Sequence, residues 1–398
     1  MEWILPILGY IWWLPVVITA GYLLLMALGG HLPVVRKKGE ASPKKPLPKV
    51  ALFVPAYKED AVILDSVHNL LKMNYPRDRW DLVVIADRMQ PETMQRLRTQ
   101  PIVVVEMNVE KSTKAKAINT ALKHLDTNYD IAAVLDADNH TEVSFLQDVA
   151  TAFAQGAIAV QARRVAKNMD TPMAILDAMS EEANNHLFCK AHRRLGLSSR
   201  LIGSGMAFRY GLFHELMLAN KAIGGFDKEL ELEIMKRGHK IEYLPETRVF
   251  DEKVSQPQTF KNQRLRWIAA QYHYLRRYFL LALWALITKG NTSFFDKAFQ
   301  MLILPRMILI GMAGIGLLAS LLLPFGPHIW IWLGTFMAIG FAYAFSIPKT
   351  YYNWSYLKAI FLLPKALFMM LWELRFLGSA NKQFIHTPHG TTPKAEES

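Results

Sequence analysis

Residues 131–138 read Ile-Ala-Ala-Val-Leu-Asp-Ala-Asp, an apolar run that ends abruptly on two carboxylates. Five apolar residues make a strand's length, and the absence of alternation fits a strand covered on both faces, as in a parallel sheet. Three similar runs come before it, at 50–54, 82–86 and 102–105. Each leads into a polar, helix-compatible stretch: 60–73, 92–99 and 114–124. Strand alternating with helix predicts βαβ units, hence an α/β domain on a mostly parallel, Rossmann-like sheet. Ligands of such sheets bind beyond the carboxyl ends of the strands. The sequence puts polar residues there each time: Tyr57-Lys58-Glu59-Asp60, Asp87-Arg88 and Asp136-Ala137-Asp138.

The chemistry of those ends narrows the ligand. Asp136 and Asp138 close a strand, so they project into the crevice, where a hard divalent cation could join a carboxylate to a diphosphate. A D-x-D at a strand end also serves as a loop start or helix cap, so context matters. Asp87 ends the neighbouring strand and Lys114 opens the helix after the next one. Together they offer a place for a base or ribose, a cation and a phosphate. The chain contains no G-x-G-x-x-G and no G-x-x-x-x-G-K-[ST], which removes the main support for dinucleotide or P-loop chemistry.

Outward from this domain the composition changes. Of 398 residues 52% are hydrophobic, which excludes a disordered polymer, and a single cysteine excludes a disulfide scaffold and a thiolate metal site. From Trp3 to Val35 there is no Asp, Glu, Lys or Arg, enough for one membrane-spanning helix. Met1-Glu2 is no basic leader region, so a cleaved signal is the lesser reading. Arg36, Lys37, Lys38, Lys44 and Lys45 follow, and the positive-inside rule makes their side cytoplasmic. A second uncharged stretch, 307–348, is long enough for two crossings and is interrupted by Pro324-Phe325-Gly326-Pro327. Lys349 and Lys358 come after it, which puts both ends of this hairpin on the same cytoplasmic side. Charges break up 357–378 and bound 278–288, so these read as interfacial helices; three crossings are expected, with a fourth at 357–378 as the alternative.

Further motifs stand in order: Gly203-Ser204-Gly205 with Phe208, then Gly225-Phe226-Asp227-Lys228-Glu229, then Gln263-Arg264-Leu265-Arg266-Trp267, a Q-x-x-R-W. With Pro55-Ala56-Tyr57-Lys58-Glu59, Asp87, Lys114 and the D-A-D, this series resembles the membrane-embedded family 2 glycosyltransferases, the group of cellulose, hyaluronan and poly-N-acetylglucosamine synthases. The resemblance covers about 48–275 and the plan of flanking membrane helices. It implies a cytoplasmic GT-A domain that inverts the anomeric centre of a nucleoside-diphosphate sugar, using Mg²⁺ or Mn²⁺. Donor binding then falls to Ala56, Tyr57, Glu59, Asp87, Lys114, Asp136, Asp138, Gln263 and Arg266, with Asp87 on the base and Asp136 and Asp138 on the metal. Acceptor binding falls to Gly203, Ser204, Gly205, Phe208 and Trp267. Phe208 also reads as core, and Trp267 as an interfacial anchor. The family's T-E-D has changed: Gly225-Phe226-Asp227 matches it without gaps, making Asp227 the general base, and a shift of two makes it Glu229. Asp227 also reads as the N-cap of a helix over 228–236. At the far end, Phe384-Ile385-His386-Thr387 has the F-x-x-T spacing of a gating loop, with His389 where a lysine is usual.

The domain plan is therefore a membrane helix (1–35), a basic linker (36–48), the GT-A domain (49–275), an interfacial region (276–299), a membrane hairpin (300–348), an interfacial or third C-terminal membrane helix (349–378) and a tail (379–398). The expected function is an inverting, metal-dependent hexosyltransferase that moves a sugar, UDP-linked, to a growing polysaccharide or lipid-linked acceptor at the inner leaflet of a bacterial plasma membrane. Its expected partners are the donor, the acceptor, the bilayer and an oligomer or export partner. The altered T-E-D supports a competing reading, a catalytically idle sugar-nucleotide-binding subunit of a polysaccharide-export complex. Nucleic-acid binding would explain the net charge of +12, but the basic clusters adjoin apolar segments, which anionic headgroups and a diphosphate explain better.

Overall fold

β1 (Val50–Tyr57) is buried along most of its length and pairs on both edges in parallel, with β2 (Trp80–Asp87) on one side and β4 (Ile131–Val134) on the other. This computed structural model describes residues 3–33, 46–107, 112–125, 128–220, 225–253 and 257–359, with backbone alone at 257–270 and 355. The fold is mixed α/β. β3 (Val103–Met107), β5 (His140–Thr141), β6 (Ala159–Ala166), β7 (Met206–Arg209) and β8 (Ile241–Asp251) complete an eight-stranded sheet of order β3-β2-β1-β4-β7-β6-β8-β5. The four expected strands are present, and β1 runs three residues beyond the expected end. Pro55, which has no N–H to donate, lies past the last β1–β4 pair, Phe53 with Val134.

The order β3-β2-β1-β4 has one topological switch point. The chain leaves β1 toward β2 and β3, then returns through helix Lys114–His124 to the other edge of β1. A crevice therefore opens beyond the carboxyl ends of β1 and β4. β7 enters antiparallel to β4, with Val134 opposite Met206, so residues 203–205 arrive beside Asp136. β8 runs parallel to β6, and its end pairs with β5, His140 opposite Phe250, which brings Asp251 beside the residues after the D-A-D. Helix Ile63–Leu70 buries Ile63, Val67 and Leu70, one face at spacing i, i+4, i+7, in the core on Leu52, Val54, Leu82 and Val84.

The chain forms two units. Of the described residues, one unit comprises those within 46–168 and 198–253, and holds the sheet; the other comprises those within 3–33, 169–197 and 257–359. The domain expected over 49–275 is thus interrupted: Leu187 and Ala191 pack with Val16, Ala20, Leu23, Leu309 and Ile339 of the apolar unit. Polar side chains at 177, 181, 182, 190 and 192–194 hide that role in the sequence. A second boundary also moves. Pro257–Lys289 is one helix, so the division expected at 275/276 falls inside it.

Helices Ile4–Gly29 and Ile329–Ser346 are long and apolar enough to cross a membrane, while Arg306–Leu322 is shorter. The turn expected at 324–327 does separate the last two. The basic cluster at 36–45, most of 357–378 and the 384–389 motif lie outside the described residues.

Candidate active site

At the switch point the strand ends carry unusual backbone. Lys58 and Arg88 both adopt left-handed conformations, φ 55° and 54°, directly after β1 and β2. Non-glycine residues pay for that conformation, and such strain concentrates at ligand sites. Lys58 N–H donates to Asp87 O at 3.1 Å, locking the two turns together. The Lys58 ammonium and the Arg88 guanidinium flank the Tyr57 ring at 5.6 and 5.9 Å from its centroid. Asp87 is 1% exposed, and neither carboxylate oxygen has a hydrogen-bond partner among the described residues. A buried acceptor left unsatisfied costs about 1–3 kcal/mol, more when charged, which an N–H from a ligand would offset. Ala56 is buried in β1 and offers the site only backbone; Glu59 is buried too, its carbonyl receiving Val62 and Ile63 N–H at the start of helix Ile63–Leu70.

Beyond β4 the residues converge. Lys114 Nζ donates to Asp136 Oδ1 and, at 2.7 Å, to Gly203 O. Gly203 has φ +85°, and a Cβ added there would lie 3.8 Å from Asp227 Cγ, so the Asp227 carboxylate faces this glycine. Phe226 lies under the Lys114 ammonium at 5.6 Å. Asp136, Lys114, Gly203 and Asp227, spread over more than 110 residues, therefore form one continuous line.

Asp227 is not the helix cap. Gly225, at φ +69°, occupies that position, and Asp227 lies inside the first turn of helix Phe226–Lys236. Its carboxylate is near the positive end of the helix. Lys228 Nζ is 3.6 Å from Asp227 Oδ2. Glu229, the alternative base, is buried in the same helix. Phe208 needs correcting as an acceptor residue: it is fully buried and stacks on Phe213 at 5.0 Å, because β7 is an interior strand with this side chain inside the core. Ser204 is fully buried as well. Its hydroxyl accepts from Asp136 N–H at 3.0 Å and donates to Asn139 Oδ1, so it braces the loop instead of meeting an acceptor. A Cβ on Gly205 would come within 3.0 Å of Val249, so that glycine serves packing.

Asp138 is 2% exposed; its Oδ2 accepts from Glu252 N–H at 3.0 Å and its Oδ1 from Asn139 Nδ2 at 3.3 Å. Asp251 lies behind it, paired with Lys253 at 2.8 Å and Arg164 at 3.7 Å. Lys167 Nζ approaches Asp138 O at 3.4 Å and His140 Nε2 at 3.0 Å. Burial, and next Lys167, push the His140 imidazole below its ordinary range against the pull of Asp65. The acidic cluster is thus bordered by cations.

The sequence reading missed three residues that shape this site: Asn139, Asp251 and Gln161. Gln161 is fully buried, donates to Ser204 O at 2.8 Å and accepts from Ile202 N–H at 3.0 Å, fixing the 202–205 loop. Asp251 ends its strand as Asp87 does, a signal available in the sequence. Gln263, Arg266 and Trp267 lie on helix Pro257–Lys289, where their side chains are outside the description.

Among the described residues no group of three His, Cys, Asp or Glu is spaced to hold a metal. Asp136 and Asp138 still suit a hard cation of the kind that takes one or two carboxylates from protein and the rest from phosphate and water.

The chain is similar to known proteins in sequence and in fold. The model of the family described as "Glycosyltransferase like family 2" matches residues 48–270. A Synechocystis protein named beta-monoglucosyldiacylglycerol synthase is 29% identical over 248 residues, 59% of this chain and 50% of its own length. "Probable glycosyltransferase YdaM" of Bacillus subtilis is 22% identical over 239 residues, 56% of this chain and 55% of its own. The chain spans about half the length of these curated relatives. The mannosyltransferase PcManGT from Pyrobaculum calidifontis, solved in complex with GDP-Man and Mn²⁺, shares the GT-A fold at TM-score 0.58 and 18% identity, covering 92% of this chain and 98% of that one. Since the family model spans more than half of the sequence, the chain belongs to the glycosyltransferase-like family 2.

Proposed function

We propose that the chain transfers a hexose, with inversion, from a nucleoside-diphosphate sugar, UDP-linked, to a lipid acceptor at the inner leaflet. The observation that carries this is the line Asp136–Lys114–Gly203–Asp227 at the switch point, which sets a carboxylate and an ammonium beside a second carboxylate. The names of the relatives, glycolipid synthases, support a lipid acceptor over a polymer. So does the count of apolar helices among the described residues, two of spanning length and one shorter, since even three crossings would supply little wall for a polysaccharide channel.

In this reading the nucleobase donates an N–H to the orphaned Asp87 carboxylate and stacks near Tyr57. Asp138, with Asp136, would hold Mg²⁺ or Mn²⁺, which neutralises charge on the leaving diphosphate. Lys114 uses two N–H donors on Asp136 and Gly203, leaving its third for a phosphate oxygen. Asp227 takes the proton of the acceptor hydroxyl as its oxygen bonds to the anomeric carbon; the bond to the diphosphate breaks and carries its electron pair away.

The test is release of nucleoside diphosphate from a panel of UDP- and GDP-sugars by purified protein in lipid, with diacylglycerol and glycolipids offered as acceptors. Asp227→Asn is expected to lower turnover by about 10²- to 10⁴-fold while nucleotide binding persists. Turnover retained by that variant would remove Asp227 as base. Binding without turnover by the wild type would favour the idle-subunit reading.

A further inference from the structure

Asn139 follows the D-A-D directly, is fully buried, and uses its whole hydrogen-bonding capacity. Its Oδ1 accepts from Asp136 N–H at 3.1 Å and from the Ser204 hydroxyl. Its Nδ2 donates to Asp138 Oδ1 at 3.3 Å and to Asp251 Oδ1 at 3.2 Å. The amide orientation is forced, because a backbone N–H can only donate and carboxylates can only accept. An amide alone meets these demands in this shape. Aspartate would keep both acceptances and lose both donations; leucine would lose all four.

The partners belong to separate parts of the site. Asp136 and Asp138 stand on the donor side, Ser204 holds the loop that carries Gly203 next to Asp227, and Asp251 ends β8. We propose that Asn139 is the positioning residue that orients the Asp138 carboxylate toward the cation of the donor and couples it to the 203–205 loop. This rests on the assignment of Asp138 to the cation. Physically, Asn139 occupies one lone pair of Asp138 Oδ1 and Glu252 N–H one of Oδ2, which fixes the plane of the carboxylate and leaves its remaining lone pairs aimed. The same amide stands between Asp138 and Asp251, offering each a donor where direct contact would set two anions against each other. Outer partners of metal-binding carboxylates affect affinity by about 10- to 100-fold when removed.

The experiment measures Mn²⁺ binding by electron paramagnetic resonance in the presence of UDP, on full-length protein in lipid, for wild type, Asn139→Ala and Asn139→Asp. Metal-free UDP binding and thermal unfolding are followed alongside. Asn139→Ala is expected to weaken Mn²⁺ about 10- to 100-fold and to leave metal-free UDP binding within about twofold of wild type. Asn139→Asp keeps the loop bonds but places a third carboxylate between two others. Its activity is therefore expected to shift to lower pH, where a shared proton restores a donor, while the wild-type profile does not shift. Unchanged Mn²⁺ affinity in Asn139→Ala would overturn the proposal. Should that variant not fold, an Asn139→Asp pH profile that superimposes on the wild type would overturn it instead. Wild-type protein that binds UDP but no Mn²⁺ would sink the cation assignment together with this inference; wild-type Mn²⁺ binding untouched by either variant would sink this inference alone.

Discussion

Lys228 stands where the altered T-E-D leaves the proposed base without its usual neighbours. Its ammonium is 3.6 Å from Asp227 Oδ2, donates to Leu201 O at 2.8 Å, and pairs with the fully buried Glu231 at 3.2 Å. A cation fixed by a backbone carbonyl and a second carboxylate can hold Asp227 in one rotamer. Lys228→Met is expected to lower kcat about tenfold, equivalent to about 1.4 kcal/mol, with donor KM within about twofold, and Lys228→Arg to restore part of it. A kcat unchanged in Lys228→Met would remove that role. Residues of this kind explain what the sequence could and could not convey. Asp87, Asp136 and Asp138 were legible because each ends an apolar run, and Lys114 because it opens a helix. Asn139, Gln161 and Lys228 act through partners 27 to 112 positions away, and no local pattern marks them. Phe208 read both as acceptor platform and as core, and strand order decides for the core by putting β7 inside the sheet.

Among the elements, the first half of the sheet was legible because four parallel strands, covered on both faces, have no polar alternation to confuse with helix. The second half was not: β5 and β7 have two and four residues, and their places depend on antiparallel pairing with remote strands. The segment Pro172–Arg194 was hidden for another reason. Its helix passes through a π-helical turn at Asn185–Lys190, which displaces the 3.6-residue pattern and presents His186 to the end of helix Ile4–Gly29. His186 Nε2 donates to Ala27 O at 2.9 Å, and Arg194 donates to Gly30 O at 2.6 Å, satisfying carbonyls that the last turn leaves over. Burial, and the nearby His31, Lys190 and Arg194, push the His186 imidazole down to about 4, against the pull of the Ala27 carbonyl. The folded value lies below the unfolded one near 6.5, so between these values the unfolded chain binds a proton that the folded chain refuses. Stability from this group is complete above about pH 6.5 and is lost as pH falls toward 4, by up to about 3 kcal/mol. Thermal unfolding in detergent between pH 7 and 4 should show the wild type losing more stability than His186→Gln, whose amide can still donate to Ala27 O without titrating. Parallel losses in the two proteins would assign the pH dependence elsewhere.

For the molecule as a whole, the packing of the apolar unit fixes which helix ends lie together, and the charges then orient them. Gly9 approaches Gly326 so closely that a Cβ on Gly9 would fall 2.0 Å from Gly326 N, while His31 Nε2 lies 2.9 Å from Phe345 O. Helices Ile4–Gly29 and Ile329–Ser346 therefore run in the same direction, and Trp12 Nε1, donating to Met312 O, ties helix Arg306–Leu322 alongside. Exposed Trp3 and Trp330 share one end, and exposed Tyr352 and Trp354 follow the other, as the aromatic residues of two membrane interfaces do. The basic residues gather at the second end: Arg306, Lys349 and Lys358, with Arg36–Lys45 following the first helix in sequence. If the three helices cross the membrane, the 324–327 turn faces the outside and Lys349 the cytoplasm. With the buried Cys189 replaced by serine, Pro327→Cys should react with a membrane-impermeant maleimide in intact cells, and Lys349→Cys only after lysis. The reverse pattern would invert the topology and move catalysis to the outer surface, out of reach of cytoplasmic nucleotide sugars. Reactivity of both only after lysis would show that helices Arg306–Leu322 and Ile329–Ser346 do not span, and the lipid acceptor would then have to be met by surface binding alone.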